Sequence, residues 1–145
     1  MSASPTPAVA RQVGAAWTQR HGERTTLTVT VCRACAGRWF PPRDTCSTCA
    51  SDDVEDVTSD TRGTVYASSV VRTAPRGFQA PYVLAYVDIS GVRILAHSPS
   101  SDRALTPGTE VELTVAPIAD SAEGAVLSYA VTPIDDQPAP SGEQR

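Results

Sequence analysis

Two Cys-x-x-Cys pairs, Cys32/Cys35 and Cys46/Cys49, are separated by ten residues, and they limit this chain more than any other feature. Two residues between cysteines let a short turn aim both sulfurs at one point, and two such knuckles complete a tetrahedron. That geometry suits Zn²⁺ held by four thiolates at about 2.3 Å. The short gap fits a ribbon, in which a small hairpin joins the knuckles. Two disulfides would require an oxidising compartment, and a redox dithiol comes as a single pair, so both alternatives are disfavoured. Four protein ligands leave no position for water or substrate. One zinc ion, held by Cys32, Cys35, Cys46 and Cys49, is therefore expected to be structural. Four thiolates and one Zn²⁺ leave a local charge of −2, which Arg33, Arg38 and Arg43 can offset. Those arginines either donate to the sulfurs and neutralise the centre or bind an anionic ligand.

The remaining composition narrows the class. With 145 residues and 41% hydrophobic content, the chain can build one modest domain or two very small ones. Aromatic content of 6% predicts a thin core. No apolar run approaches the roughly 18 residues of a membrane helix. Met1–Ala10 lacks a basic patch followed by an apolar stretch, which sets the expectation of a cytoplasmic protein without a membrane partner. The net charge is −4 and all 12 cations are arginine. Residues 62–132 carry five Arg against six acids, with few aromatics, so no cationic stacking groove for nucleic acid is expected.

From Gly63 onward, apolar residues alternate with polar ones between turn signals, as in short strands. Thr64–Arg72 reads as a strand with Val65, Ala67, Ser69 and Val71 on one face. Tyr82–Ile89 is nearly continuous in apolar residues, as a strand buried on both faces would be. Ser90-Gly91 signals a hairpin turn to the strand Val92–His97. Val111, Leu113 and Val115 mark a fourth strand, and Ala125–Thr132 a fifth. Five short strands predict a partly open Greek-key barrel, the OB-fold. The expected class is mainly β: a rubredoxin-like zinc ribbon, then a five-stranded OB-fold barrel, with a short N-terminal helix. That helix is expected over Ala8–Arg20, where Val9, Val13, Ala16 and Trp17 share a face at helical spacing. The expected domains are an N-terminal extension at 1–24, the ribbon and an acidic linker at 25–61, the barrel at 62–133, and a disordered tail at 134–145. Asp52, Asp53, Glu55, Asp56 and Asp60 read as a solvated linker edge.

Catalytic groups are scarce. All four thiols are committed to metal, and the histidines are His21, in a polar setting, and His97, at a strand end. Asp88 either has a raised pKa in its apolar strand or hydrogen-bonds the neighbouring turn. No phosphate loop, nucleophile elbow or His-Glu-x-x-His motif is present. The chain is not expected to be an enzyme by itself.

The order of motifs carries a resemblance. Cys-x-x-Cys is followed by Trp39-Phe40-Pro41-Pro42-Arg43, the second Cys-x-x-Cys, Gly63-Thr64-Val65-Tyr66, Ala80-Pro81-Tyr82-Val83 and Leu105-Thr106-Pro107-Gly108. Over roughly residues 15–133 this resembles the acyl-CoA-associated zinc-ribbon/OB-fold family, long catalogued as domain of unknown function thirty-five. The resemblance implies a non-catalytic accessory subunit of a thiolase-fold acyl-CoA enzyme (a thiolase, acyltransferase or aldolase) in a hetero-oligomer. It would help to form the CoA-ester site and stabilise the complex. Alternatives are an accessory subunit of a hotdog-fold enoyl-CoA hydratase and a nucleic-acid- or protein-binding adaptor. Under the first reading, Arg43, with Arg38 and Arg76, would meet the phosphates of a CoA ester shared with the partner. The surface around Trp17, Trp39-Phe40 and the loop Arg72–Tyr82 would dock on that partner. Trp39-Phe40 fits equally a packing role between ribbon and barrel, and Pro41-Pro42 a rigid approach to the second knuckle.

Overall fold

A computed structural model describes residues 8–134; the tail expected to be disordered lies, from residue 135 on, outside the described residues. Among the described residues there are ten strands: β1 (Val9–Val13), β2 (Thr18–His21), β3 (Arg24–Cys32), β4 (Arg38–Trp39), β5 (Val54–Thr58), β6 (Arg62–Val71), β7 (Tyr82–Ile89), β8 (Val92–His97), β9 (Glu110–Ser121) and β10 (Gly124–Pro133).

Strands β6 to β10 close on themselves. β6 pairs with β7, β7 with β8, β8 in parallel with β10, β10 with β9, and β9 returns to β6. This closed five-stranded order, with its one parallel seam at Ala130 and His97, is the OB-fold barrel. Val65, Ala85, Val87, Ile89, Ile94, Ala96, Val111, Leu113 and Val131 fill it. Gly63 permits one of the tightest approaches: a Cβ there would stand 2.7 Å from the Asp88 carbonyl oxygen and 2.8 Å from Val87 Cγ1. The Ser90-Gly91 turn has both central residues at positive φ, 50° and 84°, as a two-residue hairpin requires.

The ribbon and the barrel share one core. β3 pairs with β2, β4 and β5, and ends at Cys32. Its Leu27 and Val29 are fully buried in the same cluster as the barrel residues. Apolar material from the ribbon strand thus completes a barrel that has few large side chains of its own.

Four expectations change. Residues 8–20 form β1, a short 3₁₀ turn at Ala15–Trp17 and the start of β2 in place of one helix. Gly14, at φ 73°, breaks the run, and any Cβ there would stand 3.1 Å from the rings of Trp17 and Tyr129. β1 instead obtains its backbone partners from the exposed edge of β10, in parallel register, which leaves Val9 55% exposed. The acidic stretch is not simply a linker, because β5 lies within it and pairs with β3 from Thr28 to Cys32. β7 is buried on one face only, with Tyr86 and Asp88 turned outward. A bulge between Val65 and Ala67 breaks the period of β6, so Val65 points inward while Ala67, Ser69 and Val71 stand opposite Tyr86, Leu84 and Tyr82.

Candidate metal centre and barrel face

The two knuckles are built alike. In the first, the Cys32 N–H donates to Gly37 O at 2.8 Å and the Ala36 N–H returns to Cys32 O at 2.8 Å. In the second, the Cys46 N–H donates to Ser51 O and the Ala50 N–H returns to Cys46 O, both at 2.9 Å. Each turn closes through an alanine in the left-handed region, Ala36 at φ 66° and Ala50 at φ 65°. Each contributes one buried cysteine, Cys32 or Cys46, and one exposed, Cys35 or Cys49.

The four sulfurs lie within 4.8 Å of one another. The Cys32–Cys49 and Cys35–Cys46 separations are both 3.6 Å. A tetrahedron with metal–sulfur bonds of about 2.3 Å has edges of about 3.8 Å, close to both of these separations, so the four sulfurs are grouped as a Zn²⁺ site requires. A disulfide would need sulfurs about 2.05 Å apart, and all four cysteines are free. At Cys46, backbone donors favour thiolate. The Cys46 thiol is lowered to about 6, first by the Cys49 N–H and also by the Thr48 N–H, which stands 3.4 Å from its Sγ.

The ribbon arginines have separate employments. Arg33 pairs with Asp53 at 2.8 Å and Glu55 at 2.9 Å, which raises its pKa and neutralises part of β5. Arg38 covers the Gly91 turn and donates from Nη1 to Ser90 O. Arg43 lies with its Cζ 4.8 Å from the centroid of the Trp39 ring and donates from Nη1 to Ser47 Oγ. Its backbone N–H reaches Thr30 Oγ1 at 3.1 Å, and that hydroxyl donates onward to Asp56 at 2.8 Å. Arg76 is elsewhere. It occupies the β6–β7 loop beside Gly77, whose carbonyl accepts from the Asp120 N–H. The length of β7, about 25 Å at the usual rise per residue, separates that loop from the Ser90-Gly91 turn under Arg38. Arg38 and Arg43 therefore share the ribbon, and Arg76 does not join them.

The aromatic residues divide in the same way. Phe40 packs edge-on to Trp17 at 5.6 Å and to Tyr129 at 5.5 Å, joining the N-terminal segment, ribbon and barrel. Such pairs contribute about 0.5–1.5 kcal/mol each beyond area burial. Phe78, Tyr82 and His97 stack at the opposite end, with Tyr82 and His97 centroids 5.1 Å apart. Burial there lowers the His97 pKa. A cleft of about 290 Å³ opens beside this stack, between Gly77–Pro81 and Pro117–Asp120.

From that stack an apolar stripe runs down the outside of β6, β7 and β8. Leu84 is opposite His97, and Tyr86 is opposite Leu95. Tyr66, Tyr86 and Leu95 are 53%, 48% and 45% exposed, large hydrophobic groups turned to solvent on one face. Below them Arg93 clamps Asp88 at 2.6 Å and lies over the Tyr66 ring at 3.4 Å. That guanidinium holds the Asp88 carboxyl below its ordinary range, so the raised-pKa alternative is excluded and the two charges offset each other. The bulge at Tyr66 and the pairing of Tyr86 with Leu95 define this surface, and neither has a signature in the apolar pattern alone.

Among the described residues, the cysteine quartet is the group of three or more His, Cys, Asp or Glu side chains placed to hold a metal. No helix there is long and apolar enough to cross a membrane.

The architecture matches known proteins across most of its length. Residues 21–55 match the family model of the ChsH2 rubredoxin-like zinc ribbon domain, and residues 56–116 that of the ChsH2 C-terminal OB-fold domain. A DUF35 domain-containing scaffold protein of Methanocaldococcus jannaschii is 31% identical over 74% of this chain and 79% of its own. The benzoylsuccinyl-CoA thiolase subunit BbsA of Thauera aromatica is 30% identical, covering 68% of this chain and 69% of its own. The solved Ltp2-ChsH2(DUF35) aldolase superposes with a TM-score of 0.54 at 26% identity, covering 74% of this chain and 84% of that one.

Proposed function

We propose that this chain, which belongs to the ChsH2/DUF35 family of zinc-ribbon and OB-fold proteins, is a non-catalytic subunit of a thiolase-fold acyl-CoA enzyme. The reactions concerned are carbon–carbon bond formation or cleavage, or acyl transfer. Relatives named as a thiolase subunit and as part of an aldolase support that class of partner.

The observation that carries the reading is the exposed apolar face of Tyr66, Tyr86 and Leu95. A small acidic chain keeps such residues exposed at a cost in self-association, and their usual use is to bury them against another protein. Tyrosine and arginine are the residues that anchor such contacts, and Arg93 stands beside them. The Phe78–Tyr82–His97 stack continues this face toward the expected docking loop, whereas Trp17 and Phe40 are turned to internal packing.

Zinc in the quartet is structural, fixing the ribbon and supplying no open coordination site. Of the three arginines considered for CoA phosphate, Arg43 is the best placed. It is exposed, lies over the Trp39 ring and uses one nitrogen on Ser47 Oγ, while Arg38 is committed to the Ser90 carbonyl at the hairpin tip and Arg76 is at the far end of the barrel.

Co-expression with a thiolase-fold chain tests the proposal. A complex should co-purify and use acyl-CoA esters, and Tyr86→Glu should release the subunit with its zinc content and melting curve intact. Arg43→Ala should raise the KM for the ester without loss of metal. Turnover of acyl-CoA esters by the isolated chain would overturn the accessory reading, as would a Tyr86→Glu subunit that still co-purifies.

A further inference from the structure

Among the described residues, the indole nitrogen of Trp39 is a buried donor with no hydrogen-bond partner at bonding distance. Native proteins rarely leave such groups unpaired, because burial removes the water they would otherwise bind. Its surroundings suggest the missing acceptor. A Cβ on Gly37 would stand 3.5 Å from Trp39 Nε1, 3.4 Å from Cys35 Sγ and 3.9 Å from Cys46 Sγ. One point in space is thus within 4 Å of the indole nitrogen and of two sulfurs. Only the absence of a side chain at Gly37 leaves that point open.

The ring is held there from two sides. Its backbone is in register with Thr30 on β3, and the Arg43 guanidinium covers its outer face. A free thiol is a weak acceptor, whereas a zinc-bound thiolate carries charge and keeps lone pairs available for N–H donors.

We propose that Trp39 is a positioning residue of the metal centre, its indole N–H donating to a thiolate on the Cys35–Cys46 edge of the loaded quartet. The bond spreads the −2 charge of four thiolates and one Zn²⁺ into the ribbon. The inference rests on the assignment of zinc to the quartet, and metal stoichiometry tells the two apart.

The test uses the full chain loaded with ¹¹³Cd²⁺ in place of zinc. A through-bond correlation from the metal to the Trp39 indole proton is expected, with none to Trp17. Trp39→Phe should lower zinc affinity about tenfold in chelator competition, the scale of lost outer-shell donors. With one metal bound per chain, absence of the correlation or an unchanged affinity overturns the proposal. The correlation is read on the unsubstituted protein, so it stands even if Trp39→Phe fails to fold. A chain that binds no metal overturns the zinc assignment and this inference with it.

Discussion

Arg38 Nη1 donates to the carbonyl oxygen of Ser90 at 3.1 Å, across 52 residues of sequence. The side chain lies along Gly91, so the ribbon grips the tip of the β7–β8 hairpin. The Asp60 N–H bonds Ser90 Oγ at 2.8 Å from the same side. Replacing Arg38 by Ala should cost about 1 kcal/mol, the usual net worth of one such bond. The melting temperature should fall by about 2–4 °C with zinc content unchanged. A variant as stable as the parent would show that the grip is incidental.

Gly63 has no room for a methyl group against Asp88 O and Val87 Cγ1. Gly63→Ala should destabilise the barrel by about 1–3 kcal/mol, as overpacking does. Urea unfolding measures this as a lower midpoint with an unchanged slope.

Burial lowers the His97 pKa, so the folded state binds its proton less readily than the unfolded chain does. By linkage the contribution is fully present above the unfolded pKa near 6.5 and is lost as pH falls below it. Stability measured at pH 7 and pH 5 should drop on acidification, and His97→Gln should drop less. Equal drops would assign the pH dependence to other groups.

Metal removal should spread beyond the ribbon. Structural zinc sites in isolated peptides supply about 10–16 kcal/mol of folding energy. β3 ends at Cys32, and its Leu27 and Val29 lie in the barrel core. Chelation, or Cys32→Ser, should therefore lower strand content and expose barrel amides to hydrogen exchange, with recovery on adding Zn²⁺ to the unsubstituted chain. A metal-free chain with barrel protection intact would make the two units independent.

Much of this protein was legible in the order of its residues, because the signals concerned are local. Two cysteines with two residues between them can only turn toward one point, and the structure places all four sulfurs together. Ser90-Gly91 marks a hairpin because the left-handed region costs glycine little, and the strands on either side, Tyr82–Ile89 and Val92–His97, have the expected bounds. The mainly β class, the ribbon and the barrel all follow from such short-range constraints.

What the chain order did not decide depends on partners distant in sequence. Residues 9–13 have helical spacing of apolar groups, yet a free edge on β10 satisfies their backbone and Gly14 ends the run. The acidic stretch is a strand because β3 offers it a ladder and Arg33 offsets two of its charges. The bulge at Tyr66, the pairing of Tyr86 with Leu95 and the burial of the Trp39 indole nitrogen beside Gly37 arise only when the barrel closes and the ribbon docks. Sequence spacing sets which neighbours a residue can reach along its own strand. Closure and packing set which surfaces remain uncovered, and this chain's proposed docking face is one of those.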